Sequence, residues 1–255
     1  MDTLILGGDA RMPALAERLR RRGQDARHVT EASLATALIP EARRIVTHYP
    51  PKLDMLMEEI LSLAAPDARV YTCGPIHYQG DARVVDLWED EALLQENAEL
   101  TAEGAVSAAM QAGRCSLRDM PCAVIGWGRI GRALTELLVA MGARVTVASR
   151  SEAHRNRAIE RGAEAVSMEA LTEILPGMAL VFTTPPAMVL DAARLSRVNR
   201  DAMILDLASP PYGVDLRAAW RMGLRAWREP GLPGRYCPES AAAALLRAME
   251  RGEGR

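Results

Sequence analysis

The chain has 255 residues, enough for two modest domains, and its 31 basic and 33 acidic side chains leave a formal net charge of −2. This balance, without a basic run interleaved with aromatics, excludes a typical nucleic-acid surface, and no apolar run reaches membrane-spanning length. The four cysteines form neither a C-x-x-C pair nor a zinc-like cluster with histidine, so we expect reduced thiols, no metal site and a cytoplasmic protein.

The first part of the chain predicts a small open α/β domain at residues 1–96. Its predicted elements are apolar strands at 3–7, 43–47, 69–72 and 84–87 and an amphipathic helix at 52–64. The first strand passes through Gly7-Gly8 and Asp9 into a helix that ends at Gly23. Asp9 could cap that helix, or the turn could face a ligand, and the sequence leaves both interpretations open.

A long helix over residues 91–112 comes next, and we assign residues 97–113 as the connection to a second domain at 114–235. Later strands of that domain are predicted at 178–183, 202–207 and 224–227, before a stiff Pro/Gly loop at 230–234. The segment 236–255 holds a final helix at 238–250 that we expect to return to the first domain, with an irregular tail after Met249. The predicted fold class is α/β, with two Rossmann-like open parallel-sheet domains joined by a long helix.

The second domain is organised around residues 122–133, CAVIGWGRIGRA. A buried strand leads into Gly126, Gly128 and Gly131, which form G-x-G-x-x-G before an amphipathic helix that ends at Gly142. In a dinucleotide site these three glycines allow the tight turn, the approach of backbone to a pyrophosphate, and close helix–strand packing. The pattern therefore predicts dinucleotide binding, with the phosphates at the helix N-terminus.

The strand predicted at residues 143–148 ends where such sites select between NAD and NADP. NAD sites usually carry an Asp or Glu at this point, which binds the ribose 2′-hydroxyl. This chain has Ser149-Arg150 instead, and a hydroxyl with a guanidinium would bind a 2′-phosphate. We therefore predict NADP rather than NAD as the cofactor, with Arg155 and Arg157 as cations that could assist.

Ligands of open parallel sheets bind beyond the carboxyl ends of the strands, so we expect the loops at these ends to share one crevice. Two of these loops, TTPP and SPPYG, supply the hydroxyls of Thr184 and Ser209. The predicted cofactor-binding residues are Gly126, Gly128, Arg129, Ile130, Gly131, Ser149, Arg150, Thr184, Pro185, Leu207 and Ala208.

Several motifs occur together in the order that is typical of one known family. They are GGDAR (7–11), TAEGAV (101–106), GWGRIG (126–131), SRSEAH (149–154), TTPPAMVL (183–190), LDLASPPYGVD (205–215) and PGLPGRYCPESAA (230–242). Over most of its length the chain resembles the A subunit of dipicolinate synthase from spore-forming bacteria. It departs from that family's pattern at 210–213, where Arg-Pro-Gly-Gly is usual, and at 239–242, where Lys-Thr-Ala-Gly is usual.

The resemblance implies a nicotinamide-dependent oxidoreductase that acts during sporulation. Such an enzyme would oxidise a dihydrodipicolinate-type ring to pyridine-2,6-dicarboxylate, together with a second, flavoprotein-like subunit. We also expect the chain to form a homo-oligomer, as most such enzymes do.

A small dicarboxylate substrate needs cationic or N–H donors at both carboxylates. The expected substrate residues are Gly8, Arg11, Thr101, Ser209, Gly231 and Gly234, with the first two at one carboxylate and the last three at the other. For the base that removes a proton, Glu103 is the first candidate, Asp206 the second and His77 the third.

Two other functions stay open at this point. One is a dehydrogenase of a small 2-hydroxy or amino acid, although such enzymes usually move the proton with a His or Lys, and the second domain shows no well-placed one. The other is a regulatory subunit that binds NADP while its partner carries out the chemistry. Turnover by the purified chain alone would separate an enzyme from a regulatory subunit.

Overall fold

The computed structural model describes residues 1–48, 51–74 and 80–253. The chain divides into two compact units, one made of Met1–Asn97 with Pro233–Arg255 and the other of Ala98–Leu232. We call them the N-terminal unit and the central unit. Each contains a fully parallel sheet, which confirms the predicted α/β class.

The N-terminal unit begins with alternating strands and helices. They are β1 (Thr3–Leu6), α1 (Arg11–Arg21), β2 (Ala26–Val29), α2 (Ala32–Leu38), β3 (Arg44–Thr47), α3 (Met57–Leu63), β4 (Arg69–Thr72) and β5 (Val84–Asp86). The helix α4 (Glu91–Gly113) then runs from this unit into the central one, which confirms the long helix predicted at 91–112.

The central unit repeats the alternation with six strands. Its elements are β6 (Pro121–Ile125), α5 (Arg129–Ala140), β7 (Arg144–Ala148), α6 (Glu152–Glu160), β8 (Glu164–Val166), α7 (Leu171–Ile174), β9 (Leu180–Thr183), α8 (Ala192–Leu195), β10 (Met203–Asp206), α9 (Leu216–Arg221) and β11 (Arg225–Arg228). The chain ends with α10 (Leu232–Tyr236) and α11 (Pro238–Glu253).

Both faces of the N-terminal sheet are covered, as a parallel sheet requires. Ile5, Val46 and Tyr71 belong to one buried cluster, which also contains the apolar faces of α1 and α11. Their neighbours along the strands, such as Leu4 and Ile45, belong to a second cluster with α3. The alternation of side chains along each strand therefore divides the core of this unit into two layers.

In this unit and near its C-terminal end, the structure contains two elements that the sequence did not predict and differs from three predictions. β2 and α2 were not predicted, because β2 carries polar Arg27 and His28 at its centre and α2 buries little beyond Ala35. The helix predicted at 52–64 begins only at Met57. The segment before it contacts the first strand instead, because the Lys52 carbonyl lies against Gly7.

The loop predicted at 230–234 is shorter, because helix α10 already begins at Leu232. The tail after Met249, predicted as irregular, continues α11 to Glu253. Polar contacts hold this last turn, with Arg251 bound to Asp90 at 2.7 Å and Glu253 to Arg44 at 3.0 Å.

Candidate functional site

The glycine turn after β6 has the geometry that a dinucleotide site needs. Gly126 has a φ of +102°, and a Cβ on it would lie 2.4 Å from Thr184 Oγ1. A Cβ on Gly131 would lie 2.2 Å from the Gly126 carbonyl oxygen, so α5 packs directly on the turn. A Cβ on Gly128 would meet no atom within 4 Å. The first and third glycines are therefore required by packing, and the second leaves open space above the backbone.

Helix α5 begins at this open position. Gly128 is its N-cap, no side chain caps it, and its first turn holds no acidic residue. The N–H groups of the first helical turn and the positive end of the helix dipole are suited to a pyrophosphate. A dinucleotide therefore fits the residues present, with exposed Arg129 and half-buried Ile130 in the first turn.

The order of the strands brings the predicted cofactor residues of this unit together. The sheet has the order β11-β10-β9-β6-β7-β8. Strands β7 and β8 are added on one side of β6, and the later strands β9 to β11 on the other side, so the strand order changes sides between β6 and β9. Such a change of sides is where open α/β sheets bind ligands. Thr184 follows β9 and donates its hydroxyl to the Ile125 carbonyl at 3.0 Å, and Pro185 packs against Gly126. This contact ties the loop after β9 to the glycine turn.

Ser149 and Arg150 follow β7, on the other side of β6. Ser149 is buried and Arg150 is exposed. The Arg155 guanidinium donates to the carbonyls of both residues, at 2.9 and 3.0 Å. The Arg155 side chain thus stabilises the backbone of this loop. The Arg150 side chain is exposed and can reach a ligand. Arg157 is exposed on α6.

Asp206, at the end of β10, is the most heavily hydrogen-bonded carboxylate of the central unit among the described residues. It is 1% exposed and accepts from the Thr183 hydroxyl at 2.7 Å and from Arg228 at 3.4 Å. It also accepts backbone N–H bonds of 3.2–3.3 Å from Ala208, Gly213 and Val214.

A carboxylate whose oxygens are all engaged is a poor proton acceptor, so this geometry favours a positioning role for Asp206 over the predicted role of base. The loop that it holds contains Leu207, Ala208 and the exposed Ser209.

The same loop contains a contact that the sequence did not reveal. Tyr212 has a φ of +72°, and the Arg228 guanidinium lies 3.7 Å from the centre of its ring. A cation at this distance from an aromatic face is attracted by the ring quadrupole. Arg228 therefore links Asp206 and Tyr212, at one of the positions where the chain departs from the dipicolinate synthase pattern. Its place on a short edge strand gave no sequence signal.

Three predicted substrate or catalytic residues lie elsewhere in the central unit. Thr101 and Glu103 are on α4, where Thr101 is buried and Glu103 is exposed. Gly231 is exposed with a φ of +65°. The third candidate for the base, His77, lies outside the described residues.

The N-terminal unit brings the other predicted substrate residues, Gly8, Arg11 and Gly234, around Asp9. Arg11 donates to both Asp9 oxygens at 2.8 Å, and a Cβ on Gly234 would lie 2.9 Å from Asp9 Cγ. Burial raises the pKa of Asp9, but the hydrogen bonds and charge of Arg11 outweigh it and lower that pKa to about 2. Arg11 was predicted as a free cation. In the structure Nε and Nη2 bind Asp9, so three of the five guanidinium N–H donors, two on Nη1 and one on Nη2, are left for a ligand.

His48, which the sequence analysis overlooked, lies directly after β3 in the same unit. It is 4% exposed, and burial, with smaller contributions from Lys52 and Arg11, lowers its pKa to about 4. Its Nε2 is buried and has no hydrogen-bond partner among the described residues. A histidine at the end of an apolar strand, THYP at 47–50, was the signal that could have identified it.

Two searches of the described residues gave negative results. They contain no group of three His, Cys, Asp or Glu side chains that could hold a metal ion. Within them, none of the helices combines the length and apolarity that a membrane crossing requires.

A glycine turn at the point where the strand order of a Rossmann-type sheet changes sides is typical of proteins that bind a dinucleotide. In agreement, residues 90–209 match the NAD binding domain of the D-isomer specific 2-hydroxyacid dehydrogenases. This match indicates a nicotinamide cofactor and supports a domain of the dehydrogenase type.

Within that class, the chain is 32% identical to the A subunit of dipicolinate synthase of Bacillus subtilis over 173 residues, which are 68% of this chain. The matched stretch spans 58% of the relative's length. The resemblance predicted from the motifs is thus confirmed.

Solved structures agree with this fold. The A subunit of dipicolinate synthase of Bacillus halodurans has a TM-score of 0.82 at 24% identity, covering 98% of this chain and 96% of that one. A D-lactate dehydrogenase of Salmonella has a TM-score of 0.64 at 13% identity, covering 98% and 95%. At these identities the similarity establishes the two-unit fold alone.

Proposed function

We propose that the chain is the nicotinamide-nucleotide subunit of an enzyme that oxidises a dihydrodipicolinate-type ring to pyridine-2,6-dicarboxylate. The observation that carries the proposal is the open Gly128 position at the uncapped start of α5. The similarity to a dipicolinate synthase supports the substrate class. That relative is named as one subunit of its enzyme, which supports a partner subunit. We propose that this partner is flavoprotein-like.

We propose NADP as the cofactor because of the loop after β7. Its first residues are a buried serine and an exposed arginine, Ser149 and Arg150, rather than the carboxylate that would repel a 2′-phosphate. Gly126, Gly128 and Gly131 would hold the pyrophosphate at α5. Arg150 would hold the 2′-phosphate through charge-assisted hydrogen bonds.

The oxidation removes a hydride and a proton from the dihydropyridine ring and leaves the aromatic dicarboxylate. The nicotinamide supplies the hydride acceptor when the cofactor is bound. The chain's own tasks are to place the substrate and to accept the proton. We propose Glu103 as the proton acceptor, because it is an exposed carboxylate that solvent and a substrate can reach, whereas Asp206 is buried. Asp206 would keep the 208–214 loop in position.

Calorimetric titration with NADP⁺ and NAD⁺ tests the cofactor proposal. We expect wild type to bind NADP⁺ more tightly, and Arg150→Asp to weaken NADP⁺ binding by about tenfold to a hundredfold, because charged hydrogen bonds are lost and a repulsive charge is gained. Arg161→Asp makes the same change at the other end of α6, where Arg161 pairs with Glu136, and should leave the affinity unchanged. Absence of binding to either nucleotide would contradict the proposed function for this chain.

Replacement of Glu103 tests the base. Glu103→Gln removes the proton acceptor but keeps the shape, so turnover should fall by about a hundredfold or more while NADP⁺ affinity is kept. Glu99→Gln is the matched control, because Glu99 is also exposed on α4. Turnover would be measured with the partner subunit present. Equal rates for the two variants would exclude Glu103 as the base.

Oxidation of a small 2-hydroxy acid is the second candidate function. It is favoured by the match of residues 90–209 to the 2-hydroxyacid dehydrogenase family. Reduction of a panel of 2-keto acids by the purified chain, with NADH and NADPH, distinguishes it from the first. Turnover of a keto acid without the partner subunit would favour this second function.

A further inference from the structure

The strand order of the N-terminal sheet also changes sides at one point. Its order is β2-β1-β3-β4-β5, so β2 lies on one side of β1 and the later strands lie on the other side, beginning with β3. Doubly wound sheets of this order bind ligands beyond the carboxyl ends of the strands at this point. The residues found there are the Gly7-Gly8 turn after β1 and His48 after β3.

The Gly8 turn lies directly against His48. Gly8 has a φ of +90°, and a Cβ on it would lie 3.1 Å from His48 Nε2 and 2.5 Å from Met12 Cγ. Both the backbone angle and the contacts therefore require glycine. Gly8 is itself exposed, so the buried Nε2 faces a backbone position that opens to solvent.

The surroundings of His48 indicate which ring nitrogen carries the proton. The Cys73 backbone opposes the lowering of the ring pKa, which is the effect of a ring N–H directed at a carbonyl. Because Nε2 has no partner among the described residues, the donor is Nδ1. Neutral His48 thus presents the Nε2 lone pair as an acceptor.

The charged groups around His48 suit a carboxylate ligand. Arg11 and Lys52 both act on the ring as positive charges, and Asp9 acts as a negative one. The Cys73 thiol is buried, and this burial raises its pKa to about 12, so it is neutral. The cluster therefore carries a net charge of about +1, from two cations and one carboxylate.

We propose that this edge of the N-terminal unit binds a small carboxylate that also carries an N–H or O–H group, with His48 Nε2 accepting that hydrogen bond. Arg11 Nη1 and Lys52 face the carboxylate, and the Gly8 backbone lies beside it. The ligand class follows from the cations and the His48 acceptor alone, so the proposal goes beyond the oxidation proposed above and does not depend on it.

Two probes differ in whether the ring nitrogen carries hydrogen. Piperidine-2,6-dicarboxylate is an ammonium with two N–H donors at neutral pH, whereas the nitrogen of pyridine-2,6-dicarboxylate has none. The ammonium charge opposes protonation of His48, so a shift of Nε2 toward the protonated position reports the hydrogen bond. In full-length protein with ¹⁵N-labelled histidine, we expect the first probe to move the His48 Nε2 resonance from the unprotonated position toward the protonated one, and the second to move it much less. A resonance that stays fixed at saturating piperidine-2,6-dicarboxylate, or that moves equally with both probes, overturns the proposal.

Affinity measured by calorimetry gives an independent test. His48→Phe should weaken piperidine-2,6-dicarboxylate about tenfold and pyridine-2,6-dicarboxylate by much less. His48→Gln retains an acceptor oxygen and should recover part of the loss. His154→Gln, on α6 of the central unit, is the control. If His48→Phe and His48→Gln both bind the first probe as wild type does, the proposal is wrong.

These experiments contain no nucleotide, so their outcome is separate from the cofactor titration. A chain that binds no nucleotide but shows the His48 shift keeps this site and loses the oxidoreductase function. A chain that binds NADP⁺ without the shift keeps that function and loses this site.

Discussion

At the scale of single residues, His48 shows how burial changes the chemistry of a side chain. In solution a histidine titrates near pH 6.5, but here burial, Lys52 and Arg11 oppose the charged form and lower the pKa to about 4. Between these two values the unfolded chain binds a proton that the folded chain does not. Stability therefore rises with pH across this interval and is lost as the pH falls through it.

We expect the free energy of unfolding to fall by up to about 3 kcal/mol from His48 alone as the pH is lowered from 7 to 4. Asp9, whose pKa is lowered from 3.8 to about 2, loses its stabilising contribution mainly as the pH falls between these two values, so most of its effect lies below this interval. Urea unfolding at pH 7, 5.5 and 4.5 measures the slope. His48→Gln should flatten it and His154→Gln should not. An unchanged slope in His48→Gln would assign the pH dependence to other groups.

At the scale of elements, the glycines from the end of β6 into α5 have two different roles. Some are needed for folding, and one is available to a ligand. Gly131 has no room for a Cβ, because the Gly126 carbonyl lies 2.2 Å from its position. Gly128 has open space and an ordinary φ of −76°. In this motif Gly126 and Gly131 are therefore required by packing, and Gly128 offers a surface for binding.

Alanine at these two positions should give opposite results. Gly131→Ala should destabilise the protein by about 3 kcal/mol or more, because the helix must move away from the turn. Gly128→Ala should change stability by less than about 1 kcal/mol but weaken NADP⁺ binding at least about tenfold, because its methyl group occupies the approach to the backbone. Thermal unfolding and calorimetry measure both quantities. Undiminished nucleotide affinity in Gly128→Ala would place the phosphates elsewhere.

At the scale of the whole molecule, the N-terminal unit is completed by the end of the chain. Helix α11 packs on α1, and its residues Leu245 and Met249 are 1% and 0% exposed in the same buried cluster as Ile5. Exposed ion pairs, such as that of Arg18 with Glu239, border this contact. The division of labour between a substrate domain, 1–96 with 236–255, and a dinucleotide domain, 114–235, stays our proposal.

Leu245→Ala should lower the free energy of unfolding by about 2–5 kcal/mol, because it leaves a cavity between α11 and α1. Arg247→Ala, on the exposed side of α11, removes only a surface pair with Glu96 and should cost less than about 1 kcal/mol. Urea unfolding of the two variants is the measurement. Similar losses for both would show that α11 does not depend on this buried face.

Much of the central unit could be predicted because its signals are local. The apolar strand, the glycines and the helix pattern at 121–140 are adjacent in the chain, and β6 and α5 formed as expected. The start of α3 could not be predicted, because the segment before it is held by contact with Gly7, which is distant in sequence. The role of Asp206 depended equally on Thr183, Gly213 and Arg228, which come from separate elements.

The sequence by itself determined the α/β class, the glycine turn and the Ser149-Arg150 pair after β7, because each follows from residues that are neighbours in the chain. Only the tertiary structure decided that Arg11 is paired with Asp9, that Asp206 is saturated with hydrogen bonds, and that His48 faces Gly8. Burial, pairing and pKa are set by groups that the sheet order brings together, and that order is not written in any short stretch of sequence.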